Sequence, residues 1–373
     1  MLTAKASDSR EAASTSAGAL PSVGGPPVSG SIARVNPVER PDWEALLAAY
    51  PGFSFFHGTA WAKVLAGTYG CAPAYFLLQE AGVARALLPL MEVDSWLTGR
   101  RGVGLPFTDN CEPLYSDIGS AKKLVQSALE FGRARRWKYA EFRGGRDLFE
   151  GVQPSLSFYG HELDLTGDED RLFGRLESSV RRAIRKSEKS GLTVEVSRTL
   201  EAMRTYYSLH CQTRKKHGMP PQSFGFFQNA HEHVVSRNMG IIVLARYQGN
   251  PVAGAIHFYG GRQAIYKFGA SDETFQHLRG SNLVMWEAIK WLARNGSKSL
   301  HFGRTSIANE GLRKFKLGWG TEEHRLDYFK YDLQKDRYVT DTDESSGWHN
   351  RVFKALPVPV SRMIGAALYK HWA

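Results

Sequence analysis

The sequence predicts an α/β protein of two similar domains side by side, each a mixed, mostly antiparallel sheet flanked by helices. Its 373 residues exceed the usual length of a single domain. Two stretches share one order of strand, glycine turn and strand: AYFLLQEAGVARALLPL around Gly82 and IIVLARYQGNPVAGAIHF around Gly249. After each hairpin come a helix, a short strand ending at Phe142 or Phe302, and a Gly/Arg turn. Two unrelated α/β domains are the alternative explanation.

The composition is that of a water-soluble globular protein with a basic surface. Apolar residues make up 42% of the chain and the mean hydropathy is −0.35, without an apolar run long enough for a spanning helix or a signal segment. Cys71, Cys111 and Cys211 are too widely spaced for a disulfide framework or a zinc site, which favours the reducing cytoplasm. The net charge of +11 favours an anionic partner: a phosphorylated donor, nucleic acid or a negatively charged membrane face.

Changes in composition divide the chain into four segments. Residues 1–30 are rich in Ser, Ala, Gly and Pro and are predicted to be disordered. The first domain is expected over 31–166 and the second over 167–335. The tail, 336–373, carries an amphipathic helix predicted over 360–371, because Pro357 and Pro359 interrupt the sequence before it. Peripheral contact of 352–371 with the inner face of a membrane and packing against the protein's own domain are the two readings of this tail.

Apolar periodicity predicts the elements of the first domain. Helices are expected over 43–50 and 59–69, a hairpin of strands over 74–79 and 84–93 about Gly82, and a loop broken by Gly and Pro over 104–115. The remaining predictions are a helix over 120–135 and strands over 139–143 and 158–165.

In the second domain one apolar stripe predicts a long helix from Leu172 to Ile184, whose other faces are basic. The expected elements after it are a strand over 192–196, helices over 200–216 and 224–235, strands over 241–247, 252–259 and 264–270, a helix after 282, a strand over 299–302, a helix carrying Phe315 and Lys316, and a strand over 325–333.

A polar loop formed by Arg279, Gly280, Ser281 and Asn282 opens the helix after residue 282. The free N–H groups and the positive end of such a helix accept anions, so a pyrophosphate is a candidate ligand. Every helix has such an end, and an ordinary solvated turn is the alternative.

Three further side chains are candidates for chemistry. Arg304 follows a strand end, where open α/β sheets bind ligands. Lys316 lies between two apolar residues in a packed helix and could stabilise an oxyanion, or cover apolar surface with its stem. Asp109 could position an acceptor or cap its loop. Cys111 beside it lacks an evident paired base, so a buried structural thiol is the simpler interpretation.

Several well-known sites are missing. The sequence has no Walker A loop, no GxSxG elbow, no HExxH pair and no CxxC, and we expect no metal site. His231 and His233 flank Glu232, but residues two apart on a helix point to different faces.

The chain resembles the FemAB-like superfamily of GNAT acetyltransferases. The pieces that carry the resemblance are GLPFTDNCEPL, SSVRRAIRKSEKSGL, TRKKHGMPPQSFGFF, GNPVAGAIHFYGGRQAIYKFGAS, RGSNLVMWEAIKWLARNG and LHFGRTSIANEGLRKFKLGWG. It implies two tandem GNAT-like domains and transfer of an acyl or aminoacyl group to an amine or hydroxyl. Of the GNAT pyrophosphate loop R/Q-x-x-G-x-G/A, only Gly280 is present. The helical-hairpin insertion of staphylococcal-type bridge enzymes is absent, so the most similar group is that associated with exopolysaccharide or cell-envelope assembly.

The resemblance also implies roles for residues. Phe315-Lys316 matches the Phe-Lys pair that serves aminoacyl transfer in FemAB-type enzymes, which supports Lys316 as a charge stabiliser. We expect acetyl-CoA or another acyl-CoA to bind near Arg279 to Asn282. The acceptor, an envelope or polysaccharide precursor, would contact Asp109, Tyr266 and Arg304. The alternatives are a charged-tRNA donor, favoured by the net charge and by the basic helix over 181–189, and a non-catalytic scaffold for envelope assembly.

Overall fold

The structure is a computed structural model that describes residues 30–341 and 353–372. The predicted disordered segment, apart from Gly30, lies outside the described residues, as does part of the predicted tail. The helices are α1 (Trp43–Ala48), α2 (Thr59–Tyr69), α3 (Ile118–Ala134), α4 (Glu169–Arg175), α5 (Ser178–Glu188), α6 (Leu200–Lys216), α7 (Phe224–His233), α8 (Gly280–Arg294), α9 (Glu310–Leu317) and α10 (Val358–Trp372).

The strands form two sheets, and the class is the predicted mixed α/β arrangement. They are β1 (Ser31–Val35), β2 (Ala72–Pro73), β3 (Tyr75–Glu80), β4 (Val83–Leu88), β5 (Met91–Ser95), β6 (Gly99–Val103), β7 (Leu114–Tyr115), β8 (Tyr139–Arg143), β9 (Leu156–Asp164), β10 (Leu192–Ser197), β11 (Gly240–Tyr247), β12 (Asn250–Gly260), β13 (Gln263–Ser271), β14 (Ser299–His301), β15 (Thr305–Ser306), β16 (Glu322–Asp332) and β17 (Arg337–Val339).

The larger sheet joins both halves of the chain. The small sheet has the order β1-β3-β4-β7, and the large one runs β10-β11-β12-β13-β14-β9-β16-β8-β6-β5-β2, with β15 beside β9 and β17 beside β16. Strand β16 lies between β9 and β8 and is antiparallel to both. A strand from the end of the second half is therefore hydrogen-bonded to strands from the first half.

The part of the sheet made by β11, β12 and β13 has an apolar core on each face. One core includes Ile265 and the aromatic side chains of α2 and α7. The other core includes Ala264 and Leu300 together with the inward side chains of α8. Because successive strand residues point to opposite faces, neighbouring residues of β13 reach different cores. This part of the sheet separates α8 from the first half of the chain.

Two predicted elements are each divided in two. The predicted long helix over 172–184 is α4 followed by α5, since Leu176 and Glu177 are extended. The N–H of Glu177 donates to the carbonyl of Gly318 at 2.9 Å, a bond that replaces the helical one. The predicted strand over 84–93 is β4 and β5, because Pro89 lacks the N–H that would continue a ladder.

The C-terminal helix α10 begins at Val358, earlier than predicted, with Pro359 in its first turn, where a helix tolerates proline. It packs on α6: Arg214 donates to the hydroxyl of Tyr369 at 2.7 Å, and Gly365 lies against the carbonyl of Pro221. Across the described residues no helix combines the length and apolarity needed to cross a bilayer.

Candidate active site

A cavity of about 340 Å³ lies between the ends of β12 and β13, the start of α8 and the side chain of Phe315. We call it the donor cavity. All four residues predicted to bind the donor line its wall: Arg279, Gly280, Ser281 and Asn282. Its position follows from the chain path, because the short helical segment Glu273–Leu278 carries the chain from β13 directly to α8.

The turn into α8 is shaped for close approach of backbone. Arg279 has a φ of +60°, which bends the chain sharply, and the N–H of Asn282 donates to its carbonyl at 3.0 Å. A Cβ on Gly280 would lie 3.3 Å from the side chain of Ala253, so a larger residue would push α8 away from β12. The N–H groups of Gly280 and Ser281 precede the bond from Asn282 and are the ones available to an anion.

The inner end of the donor cavity is aromatic. Tyr266 and Phe315 line it, and the Tyr266 ring packs at 6.1 Å from that of Phe302. The Tyr266 hydroxyl lies directly over Gly269, where a Cβ would be 1.6 Å from it. Burial raises the pKa of Tyr266 to about 12, so the hydroxyl keeps its proton at neutral pH. Tyr266, predicted to contact the acceptor, therefore lies with the predicted donor residues.

Phe315 and Lys316 point to different surroundings. Phe315 lines the donor cavity, whereas Lys316 is 3% exposed and turns toward the chain segment between β14 and β15. Its Nζ donates to the carbonyls of Gly303 at 2.7 Å and of Arg304 at 3.1 Å. Burial lowers the pKa of Lys316 to about 8, against the opposing attraction of Asp109. The ammonium therefore has one N–H left for another acceptor.

Asp109 lies at the same turn, brought there by the loop that precedes β7. Its carboxylate is 3.5 Å from the Nζ of Lys267, and its carbonyl accepts from the Tyr328 hydroxyl at 2.5 Å. Burial alone would raise the pKa of Asp109, but Lys267 first and then Arg304 lower it to about 2. Asp109 is therefore ionised throughout the physiological range.

Arg304 reaches the same charge cluster from the solvent side. Its guanidinium donates to the Tyr328 hydroxyl at 3.0 Å and stacks 4.5 Å from the centre of the Phe158 ring. Of the three residues predicted to contact the acceptor, the structure brings Asp109 and Arg304 together and leaves Tyr266 in the donor cavity.

Lys267 is a residue of this cluster that the sequence reasoning missed. The register between β12 and β13 shifts after Ile256, and Lys267 is the unpaired residue of the resulting bulge. Bulges re-aim side chains, and this one directs the lysine into the protein. Its Nζ donates to the carbonyl of Phe107 at 2.5 Å and lies over the ring of Trp61. The available signal was a lysine inside the otherwise apolar strand AIYKFGA.

A second cavity, of about 160 Å³, lies on the other face of β13 from the donor cavity. We call it the interdomain pocket, because residues 52–57 and 110–112 of the first half cover it and β9, β13, β14 and β16 form its floor. His301 stands opposite Glu162 in the ladder of β14 and β9, and the His324 ring covers Gly160 on the same face. Two buried polar atoms that line this pocket have no partner in the described structure: Asn110 Oδ1 and His301 Nε2.

Cys111, considered above as a possible nucleophile, lies in the protein interior. Cys111 is buried, its Sγ is 3.5 Å from Nε2 of His57, and burial raises the pKa of its thiol well above the ordinary value. Within residues 30–341 and 353–372, no group of three or more His, Cys, Asp or Glu side chains is placed to hold a metal ion.

Residues 174–329 match the model of a GNAT acetyltransferase domain family. No curated protein matches the chain. Among solved structures, FemX aligns with a TM-score of 0.63 at 15% identity, over 80% of this chain and 96% of FemX. A tandem GNAT protein from the clavulanic acid pathway aligns with a TM-score of 0.54 at 11% identity, over 82% of this chain and 99% of that one.

A third solved structure is described as the C-terminal domain of a lysylphosphatidylglycerol synthetase from Agrobacterium fabrum. It aligns with a TM-score of 0.50 at 15% identity, over 83% of this chain and 92% of that one. At such identities the likenesses concern the fold, and with the family match they support the predicted pair of GNAT-like units. Residues 174–329 therefore match a GNAT acetyltransferase domain, and the fold of the chain is similar to those of FemX and of a tandem GNAT protein.

Proposed function

We propose that the protein transfers an acyl group from acyl-CoA to an amine of an acceptor held in the interdomain pocket. The observation that carries this proposal is the donor cavity, which begins at the start of α8 and ends at Tyr266 and Phe315. The anionic part of the donor would bind the N–H groups of Gly280 and Ser281 and the guanidinium of Arg279. The acyl thioester would then lie near Tyr266. Strands β13 and β14 are paired only as far as Ile265 and His301, so the opening between them beyond that point would connect the donor cavity with the interdomain pocket on the other face.

Lys316 would contribute to the reaction by charge. The amine nitrogen attacks the thioester carbonyl, a C–N bond forms, the C–S bond breaks, and the proton from the amine leaves with the CoA thiol. Negative charge develops on the carbonyl oxygen during the attack, and a fixed ammonium nearby stabilises it. Lys316 adjoins Phe315 in the sequence and its Nζ is held at the Gly303–Arg304 turn, so it lies between the donor cavity and the Asp109 side.

The groups of the interdomain pocket favour an amine over a hydroxyl as acceptor. His301 Nδ1 accepts from the N–H of Gly303 at 3.0 Å, so the neutral ring carries its proton on Nε2. Burial lowers the pKa of His301 to about 4, which keeps it neutral at pH 7. Glu162, which has no ion-pair partner in the part of the chain described, and Asn110 Oδ1 are acceptors for N–H groups. A pocket with two acceptors and the one N–H donor of His301 suits a primary amine, which has two N–H groups, better than a hydroxyl, which has one O–H.

The acceptor itself we assign to an exopolysaccharide or cell-envelope precursor, with the protein working in the cytoplasm. The support is the resemblance to the superfamily members associated with those processes. The pocket of about 160 Å³ holds a group of the size of one sugar ring or one amino acid rather than a whole polymer.

The donor test is a thermal-shift titration of the full chain with acetyl-CoA, CoA and charged tRNA, because a ligand of the native state raises its melting temperature. Acetyl-CoA should raise it, and Arg279→Gly should weaken that shift. Glycine adopts the φ of +60° without strain, so this variant removes the guanidinium and retains the turn. If none of the three ligands shifts the transition, the non-catalytic scaffold becomes the better interpretation.

A charged-tRNA donor is the second candidate, and α5 is the observation that favours it. The basic side chains of α5 and its end, Arg181, Arg182, Arg185, Lys186 and Lys189, form no ion pair among the described residues. Such a surface binds polyphosphates with a steep dependence on salt. Tight tRNA binding that weakens steeply with salt, together with no response to acetyl-CoA, would establish the tRNA donor in place of acyl-CoA.

A further inference from the structure

Two segments far apart in the sequence form one exposed apolar surface. Trp96 and Leu97 make the turn between β5 and β6, and Trp372 ends α10. Trp96 is 86% exposed, and Met363 on the outward face of α10 is 74% exposed. Val360 faces outward one turn before Met363, whereas Trp372 lies on the side of Tyr369, whose ring it meets at 5.5 Å. We call Trp96, Leu97, Val360 and Met363 the tryptophan surface, and they are four of the twelve exposed large apolar residues in the described part of the chain.

The two segments are fixed to one another at His371. A hydrogen bond of 2.7 Å joins its Nδ1 to Ser95 Oγ, and its carbonyl accepts from Arg101 at 3.0 Å and from Thr98 at 3.2 Å. The Trp96 ring meets the imidazole edge-on at 5.5 Å. These hydrogen bonds occupy the polar groups of the turn and of the helix end. The side chains of Trp96 and Leu97 remain exposed, and the turn that carries them is held against α10.

The other face of α10 is already occupied. Ser361, Gly365 and Tyr369 are buried against the protein, and a Cβ on Gly365 would lie 1.9 Å from the Pro221 carbonyl. The helix therefore packs on its own chain through one face and leaves the opposite one free. Large exposed apolar groups that cluster in this way mark interaction surfaces.

The charge around the surface selects the partner. The sequence of α10, VPVSRMIGAALYKHW, has no acidic residue, and Arg362 and Lys370 are exposed. Asp94, the exposed acid before the turn, is paired with Arg100 at 2.6 Å. Tryptophan with lysine is the combination enriched at the membrane–water interface, where the ring is buried and the ammonium meets phosphate.

We propose that the tryptophan surface docks the protein on an anionic phospholipid surface. Trp96, Leu97 and Met363 enter the boundary between headgroups and acyl chains, and Lys370 meets the phosphates. A second copy of the chain is the less suitable occupant, since a symmetric contact would bring the lysines of two copies together. The inference does not depend on the donor or the acceptor of the transfer reaction.

The test is sedimentation of the full chain with vesicles of phosphatidylglycerol and phosphatidylcholine in equal parts, compared with phosphatidylcholine alone. The wild type should bind the anionic vesicles, and the double variant Trp96→Ser/Leu97→Ser should bind about tenfold more weakly. Val83→Ser is the matched control, because Val83 is 54% exposed at a different hairpin. Lys370→Glu should reduce the preference for phosphatidylglycerol.

Three results would overturn the proposal. One is a wild type that stays in the supernatant with anionic vesicles. Another is undiminished binding by the double variant, whose folding is checked by its melting curve. The third is a wild-type dimer, measured by light scattering, that the double variant converts to a monomer without any change in vesicle binding.

Discussion

Lys316 is a buried ammonium whose charge depends on pH near neutrality. Its two bonds to backbone carbonyls fix the position of Nζ, and burial brings its pKa to about 8. At pH 7 most molecules carry the charge, and above pH 8 most do not. If transfer uses that charge, the rate must decline with increasing pH even though the nucleophilic amine becomes more available.

Replacing Lys316 by Met should lower the transfer rate roughly a hundredfold or more, the size of effect seen when one oxyanion donor is removed. Methionine fills similar space, so the helix should stay folded. The measurement is the release of CoA with a fixed amine acceptor between pH 6.5 and 9.5, in which the wild-type rate should fall above about pH 8. Lys314→Met is the control, since Lys314 is exposed on the same helix. Wild-type turnover in the Lys316 variant would remove this residue from the mechanism.

Asp109 should contribute to stability at neutral pH and lose that contribution in acid. Its pKa falls from 3.8 in the unfolded chain to about 2 in the protein, so the folded state favours the ionised form. The contribution is fully present above pH 4 and disappears as the pH falls toward 2, and its size is about 2 kcal/mol. The wild type should have a larger free energy of unfolding in urea at pH 7 than at pH 3, and Asp109→Asn should make the difference between these two free energies smaller. Asp170→Asn, an exposed change on α4, should leave that difference as in the wild type.

At the scale of elements, the start of α8 offers a test in which stability and binding move in opposite directions. Ser281→Asp places a negative charge in the first turn, which should stabilise the helix by up to about 1 kcal/mol. The same charge would repel the anionic part of acyl-CoA and should weaken its binding about tenfold. Calorimetric titration and thermal unfolding measure the two effects.

A matched control exists because Ser179 holds the same position in the first turn of α5. Ser179→Asp should leave the affinity for acetyl-CoA unchanged, and it should stabilise its helix less than Ser281→Asp does, because Ser179 Oγ lies 3.3 Å from the Glu177 carboxylate. Equal affinities of the wild type and the Ser281 variant would place the donor away from α8.

Helices with a regular spacing of apolar residues were predictable from the sequence, whereas helix breaks and β-bulges were not. The spacing of apolar residues gave the bounds 59–69 and 200–216, which are those of α2 and α6. The break between α4 and α5 depends on a bond from Glu177 to the distant Gly318, which no local pattern indicates. The bulge at Lys267 was likewise not predictable from a local pattern, because it depends on how two strands pair.

The residues of the candidate site also fall into those marked by a local sequence pattern and those that only the fold brings together. Arg279 to Asn282 and Phe315 are adjacent to recognisable local signals, a polar loop before a helix and a Phe-Lys pair, and they meet in one cavity. Their roles stay predictions until donor binding is measured. The contact between Asp109 and Lys267 spans 158 residues, and the interdomain pocket is lined by segments from both halves of the chain, from Gly52 to His324. Only the fold brings such groups together.

At the scale of the whole molecule, the pair of Lys267 and Asp109 ties the loop of the first half to the sheet of the second. Lys267→Met should destabilise the protein by roughly 3 kcal/mol, because the buried carboxylate then loses its partner. The double variant Lys267→Met/Asp109→Asn should recover part of that loss, since no charge is left unpaired. A double-mutant cycle by urea unfolding gives the interaction energy between Lys267 and Asp109. Additive effects of the two substitutions on the free energy of unfolding would show that this pair does not stabilise the contact between the halves.

Strand β16, held between β9 and β8, decides how this protein can be divided. A gene fragment beginning at residue 167 would encode the matched acetyltransferase region but lack β9, the neighbour of β14, β15 and β16. Such a fragment also lacks β8, so β14 would lose its partner on one side and β16 on both, and exposed edges recruit other chains. A recombinant that takes its second half from a relative must therefore take β8 and β9 from that relative as well. The segment that can be exchanged as a unit is longer than the matched residues 174–329.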